Sequence, residues 1–201
     1  MERSPGLATL AAALARHTPG VEAGVPDAHK AAVAAVLRES AAGTDLLFIR
    51  RAEHPRDPWS GQMGLPGGRV DPGDVSPLAA AVRETREEIG LDLDRQARAL
   101  GRLTEVRTHL REGALPRSVV PFGFALAGAA PALELNHEVQ ETVWVPLGFL
   151  ADPANRETMD YLYRGATMRL PCYHFGGRRI WGLTLWIVDE LLALAGDGVG
   201  E

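Results

Sequence analysis

Three glutamates, Glu84, Glu87 and Glu88, stand at i, i+3 and i+4 in the segment 68–91, GRVDPGDVSPLAAAVRETREEIGL. On a helix that spacing brings all three carboxylates to one side. Like charges held so close repel one another, and a cation between them removes the repulsion. An all-oxygen cluster suits a hard divalent ion such as Mg2+ or Mn2+. Arg83 precedes Glu87 by four residues, placed to orient or partly neutralise it. Just upstream, Pro66-Gly67-Gly68 offers backbone that a ligand or metal can approach closely. The competing reading of a Glu-rich helix is a solvated acidic face with ordinary ion pairs. The glycine loop beside this helix tips the balance toward a compact site for metal and phosphates.

The whole stretch resembles the Nudix box, Gly-x5-Glu-x7-Arg-Glu-U-x-Glu-Glu-x-Gly-U, where U is a bulky apolar residue. Residues 83–91, Arg-Glu-Thr-Arg-Glu-Glu-Ile-Gly-Leu, match its second half, with Thr85 at the first U. The first half departs from it: Asp74 stands in place of Glu, and eight residues rather than seven lead on to Arg83. The resemblance implies an α/β/α sandwich with a mixed sheet and a loop-helix-loop metal site. It implies that Glu84, Glu87 and Glu88 ligate Mg2+ or Mn2+, joined by a carbonyl of Gly67 or Gly68, with Arg83 orienting the carboxylates. It also implies a further carboxylate from outside the box, acting as base or extra ligand; Glu138 is the first choice and Glu141 the second. The reaction expected is hydrolysis of a pyrophosphate bond in a nucleoside-diphosphate compound.

Within the family, the sequence is similar to the coenzyme A pyrophosphatase branch. The residues that carry this are Leu46-Leu47, Arg50, Arg56, Gly61 and Leu65-Pro66-Gly67-Gly68, then the eight-residue spacing with Asp74, and Ile180-Trp181-Gly182-Leu183-Thr184. The branch pattern has a hydroxyl residue where Phe48 stands, Ser at Arg51 and Phe at Leu65, and one residue fewer between Arg56 and Gly61. Coenzyme A or an acyl-coenzyme A, cut to 3′,5′-ADP and a 4′-phosphopantetheine species, is the substrate this implies. ADP-ribose, a nucleotide sugar or an oxidised nucleotide is the alternative. A non-catalytic nucleotide-sensing module is disfavoured, because such a module would be expected to lose box carboxylates. Arg50, Arg51 and Arg56 are chemically suited to substrate phosphates; pairing with Glu53 and Asp57 is the competing use. Trp59 is read as locally packed rather than stacked on a base.

These groups need elements to hold them. Ser76 caps a helix over 76–89, Pro77 suits its first turn and Gly90 its C-terminal stop. Leu78, Ala81, Val82, Thr85 and Ile89 form its expected inner stripe. Strands are expected at 31–37 and 45–50, joined by a turn at 41–43, and at 100–106, 119–126 and 142–146. Residues 51–68 read as mostly loop. Ile180–Leu194 reads as a closing helix with Trp181 and Trp186 in the core. Residues 1–28 read as an N-terminal helix and loop before a Nudix domain over 29–201, one domain overall.

The 201 residues suffice for one sizeable core. A net charge of −5 disfavours a nucleic-acid partner. The partner expected is a small-molecule nucleotide; a homodimer stays open. Cys172 is the sole cysteine, read as a buried small apolar group, and nothing calls for an oxidising compartment. The apolar run 7–15 falls short of the roughly 20 residues that span a bilayer, so the expectation is no membrane and a cytoplasmic setting. His54, His109, His137 and His174 share no ligand spacing and are read as loop or surface residues.

Overall fold

The computed structural model describes residues 6–54, 59–108, 116–163 and 165–197. In chain order the elements are α1 (Leu7–Arg16), β1 (Lys30–Ser40), β2 (Gly43–Arg51), β3 (Met63–Gly64), β4 (Gly67–Arg69), α2 (Pro77–Ile89), α3 (Leu93–Gln96), β5 (Ala97–Arg102), β6 (Val106–Arg107), β7 (Ser118–Leu126), β8 (Val139–Pro146), α4 (Leu147–Ala151), β9 (Arg156–Tyr163), β10 (Ala166–Phe175), β11 (Arg178–Trp181) and α5 (Gly182–Asp197). Among the described residues, β1–β8 make one mixed sheet. Its spine runs β3-β2-β1-β7-β5, with β4 on β1, β6 on β7 and β8 on β2. β1 and β7 are parallel, and their neighbours run antiparallel.

Strand alternation sends side chains of β1 and β2 to opposite faces. Leu37, Leu46 and Phe48 pack with Leu10 and Leu14 of α1, Leu147 and Leu150 of α4, and Val188 and Leu191 of α5. Val36, Leu47 and Ile49 pack on the other face with Ile89 of α2, Leu91 and Leu93. The layers are therefore helix, sheet, helix, as the resemblance implied. α1 sits close on the sheet. A Cβ added at Gly101 would lie 2.9 Å from the Leu14 carbonyl oxygen, and one at Gly123 would lie 2.9 Å from a Leu14 methyl.

The sequence missed a second sheet, β9–β11, whose order is β11-β10-β9. Ile180 and Trp181 belong to its last strand, and the closing helix begins only at Gly182. Trp181 meets the Tyr161 ring at 5.0 Å. Trp186, expected in the core, is 63% exposed. The strand expected over 100–106 divides into β5 and β6, and the loop expected over 51–68 contains β3 and the start of β4. His174 lies on β10 with partners Glu157 and Arg179. Cys172 is buried, as expected, and burial raises its thiol pKa.

Buried Glu105, between β5 and β6, ties strands together. It meets Lys30 of β1 at 3.3 Å, Arg102 of β5 at 2.8 Å and the Ser118 hydroxyl of β7. No helix among the described residues is long and apolar enough to cross a membrane.

Candidate metal and phosphate site

The helix that carries the three glutamates starts and stops where its sequence says. The Ser76 hydroxyl accepts the Ala79 N–H at 3.2 Å, and Pro77 occupies the first turn. Gly90 closes the helix with φ +71°, a conformation suited to glycine. The inner stripe differs from expectation. Ala80, Ala81, Thr85, Glu88 and Ile89 are buried, whereas Leu78 is 37% exposed. The buried surplus over the apolar pattern is a carboxylate.

Gly67 and Gly68 bring the loop onto this helix. β4 pairs with β1 in register Ala32 to Gly68 and Val33 to Gly67. The Gly67 N–H donates to the Glu88 carboxylate at 2.8 Å. A Cβ at Gly67, where φ is +142°, would lie 2.2 Å from the Ala32 carbonyl oxygen. One at Gly68 would lie 2.4 Å from the Glu84 carboxylate carbon. Glycine is thus required twice, once by the sheet and once by the carboxylate.

Arg83 is the hub of the acidic cluster. Its guanidinium donates to both Asp74 oxygens, at 3.0 and 2.9 Å, and to Glu87 at 3.0 Å, and it lies 3.1 Å from Glu84. It also donates to the Arg69 carbonyl. The fork from Arg83 holds the Asp74 carboxyl below its usual pKa. Asp74 therefore anchors Arg83, which faces the other carboxylates. The unusual box spacing is accommodated in the adjoining turn: Asp74 closes on Asp71, and Val75 projects 94% exposed.

Glu84 and Glu88 behave differently from Asp74. Burial raises the Glu84 pKa, partly opposed by Arg83. Burial raises that of Glu88 to about 8, opposed by the Gly67 N–H and by Arg51. Glu138 raises both further by repulsion, so it stands within electrostatic reach of the pair. Among the described residues no three His, Cys, Asp or Glu side chains converge as a ready ligand cage: Glu87 is held by Arg83 and Glu88 by Gly67. The donor set nonetheless fits a hard divalent cation. It is all oxygen, two of its carboxylates are desolvated, and backbone without side chains lies against it. A groove beside α2, lined by Asp74, Leu78, Val82 and Arg86, takes in Arg83 and Glu87 but neither Glu84 nor Glu88.

The arginines at the end of β2 diverge. Arg51 lies 4.0 Å from Glu88, on the α2 side. Arg50 lies 3.7 Å from Glu141 and donates to the Gly61 carbonyl at 3.4 Å. Arg56 and Asp57, like His109, lie outside the described residues. Glu141 is also gripped by Arg178, which donates to both its oxygens and lowers its pKa. Arg178 arrives from the second sheet, and no local signal in the sequence marked it. Glu141 is therefore engaged by two guanidiniums, whereas Glu138 is 51% exposed and pairs only with His137, at 4.0 Å, among the described residues. Two departures from the branch pattern, Phe48 and Leu65, are core positions exposed by 0% and 5%. Arg51 is the departure that reaches the acidic cluster.

The chain matches the family description of the NUDIX domain over residues 28–165. It is 33% identical over 160 residues to the human mitochondrial coenzyme A diphosphatase NUDT8; the match covers 76% of this chain and 64% of the human protein. Among solved structures, a C. elegans Ap4A hydrolase in a binary complex is 26% identical with a TM-score of 0.50, covering 60% of this chain and 82% of that one. A MutT/nudix family protein from Enterococcus faecalis shares the fold, with a TM-score of 0.51 at 18% identity, over 92% of this chain and 66% of that one.

Proposed function

This chain belongs to the Nudix family of hydrolases, and from that premise we propose that it hydrolyses the pyrophosphate bond of coenzyme A or an acyl-coenzyme A, giving 3′,5′-ADP and a 4′-phosphopantetheine species. The observation that carries the chemistry is the pair of desolvated carboxylates, Glu84 and Glu88, packed against Gly67-Gly68. Nudix hydrolases generally need divalent metal ions. In this reading Glu84, Glu87 and Glu88, with a carbonyl of Gly67 or Gly68, hold Mg2+ or Mn2+. When bound, such an ion neutralises the anionic pyrophosphate and lowers the pKa of a bound water.

The chain's own residues supply the rest. Arg83, anchored by Asp74, fixes the directions of Glu84 and Glu87. Glu138 accepts the proton of the attacking water, a role open to a carboxylate with no strong ion pair of its own among the described residues. Arg50, Arg51 and Arg56 meet substrate phosphates through guanidinium hydrogen bonds. Catalysis is then mainly positioning and charge stabilisation.

The coenzyme A reading draws support from the likeness to the human coenzyme A diphosphatase. It draws support too from the burial of Phe48 and Leu65, which puts those departures out of a substrate's reach. Arg51 favours the second reading, another Nudix substrate such as ADP-ribose, since a guanidinium beside Glu88 changes what lies next to the reacting phosphates. Product analysis with Mg2+ and with Mn2+ decides between them, over coenzyme A, acetyl-coenzyme A, ADP-ribose, NADH, a nucleotide sugar and dNTPs. We expect 3′,5′-ADP from coenzyme A well above turnover of the others. Turnover of another compound with coenzyme A untouched would overturn the substrate and leave the metal chemistry standing.

A further inference from the structure

Among the described residues, little holds the Glu138 side chain. It is half exposed, and its carboxylate pairs only with His137, at 4.0 Å, among the described residues. Its backbone is held more firmly, and three hydrogen bonds bear on it. The Glu138 N–H donates to the side-chain carbonyl of Asn136 at 2.8 Å, closing an Asx turn. The Glu138 carbonyl accepts the Ala52 N–H at 2.7 Å, from the residue just after β2. The Asn136 N–H donates to the Glu88 carbonyl at 2.9 Å.

The last of these reaches the end of α2, where helix carbonyls lack partners of their own. Gly90 takes the Arg86 carbonyl, Asn136 the Glu88 carbonyl and Glu134 the Ile89 carbonyl. The segment 134–138 thus caps the helix that carries the acidic cluster. Among the described residues, Asn136 bonds both ways, through its N–H to the Glu88 backbone and through its side chain to the Glu138 backbone. The Asn136 side chain thus helps, with the Ala52 bond, to fix where Glu138 lies relative to Glu88. The turn uses the side-chain oxygen of Asn136, which accepts the Glu138 N–H.

We propose that Asn136 is a positioning residue that ties Glu138 to the Glu88 end of α2. This rests on the reading of Glu138 as the proton acceptor, and the test separates the two. Steady-state kinetics on the compound turned over fastest in the panel are measured for Asn136→Ala, Asn136→Asp, Glu138→Gln and the Asn136→Ala/Glu138→Gln double variant. Loss of general-base catalysis lowers kcat roughly 100-fold or more in Glu138→Gln. Misplacement of the base lowers kcat about tenfold in Asn136→Ala, with KM nearly unchanged. Asn136→Asp, which keeps the turn-forming oxygen, retains most of the activity. In the double variant Asn136→Ala adds no further loss, because it acts through a group already disabled. A loss from Asn136→Ala that multiplies that of Glu138→Gln, or that Asn136→Asp fails to relieve, would overturn the proposal and leave Glu138 as the base. Full activity in Glu138→Gln would remove the base and the proposal together.

Discussion

Glu88 is a carboxyl that the fold makes reluctant to ionise: burial raises its pKa from 4.5 to about 8. A group whose folded pKa lies above its unfolded value binds its proton more tightly in the native state. The resulting stability is complete below about pH 4.5 and is lost as pH rises through about 8. With divalent ions chelated, the melting temperature should therefore fall across that window, and Glu88→Gln should flatten the fall. Parallel melting profiles for the two proteins would show that Glu88 does not titrate there. The two glycines give a second test. Gly68→Ala pushes a methyl into the Glu84 carboxylate, a side chain able to yield, so activity should drop while the fold survives. Gly67→Ala meets the Ala32 backbone at an unfavourable φ and should destabilise by several kcal/mol; circular-dichroism melts and a hydrolysis assay separate the two outcomes. The sequence made Glu84, Glu87 and Arg83 legible because helical spacing alone relates them. It hid the burial of Glu88, since an inner stripe drawn from apolar residues placed Leu78 on it and passed over a carboxylate.

At the level of elements, α2 was legible to the residue because Ser76, Pro77 and Gly90 each have a local reason to be where they are. The second sheet was not legible. β9 and the first half of β10 are mostly exposed, so their short alternations, Met159-Tyr161-Tyr163 and Ala166-Met168-Leu170, mark no core face, and Pro171 interrupts β10. The run from Ile180 to Val188 is nearly continuous apolar sequence, which suits a buried strand and a buried helix equally. Gly182, at φ +64°, is the point where one becomes the other. Arg178 and Asn136 escaped for the same reason: their partners, Glu141 and Glu88, are distant in sequence and meet them only through topology. Another element-level link makes a firm prediction. Buried Glu105 answers Lys30 and the part-exposed Arg102, so Glu105→Ala should cost about 3 kcal/mol by leaving Lys30 with only the exposed Asp27, among the described residues, and Arg102 without its carboxylate. Urea unfolding with an unchanged m-value would measure it; a cost below about 1 kcal/mol would mean that water reaches those cations.

Across the whole molecule, one sheet separates two helical faces, and the candidate chemistry occupies one of them. α1, α4 and α5 close the other face, with α1 let down onto the strands at Gly101 and Gly123. The acidic cluster gathers at the far end of α2, where β2, β4 and the segment 134–138 all arrive. The layer order could be anticipated from the family resemblance. Which end of the sheet received the second sheet's arginine could not, because it depends on chain crossings that no local spacing encodes. One consequence follows from β4. The glycine loop is a rung of the central sheet, paired with β1, followed by a Val70 N–H bonded to the Lys30 carbonyl and preceded by a Pro66 carbonyl that takes the Ala34 N–H. A loop built this way has no local opening of its own. Its amide protons should exchange with solvent at the pace of the sheet, so this wall of the site keeps its shape for as long as the sheet is folded.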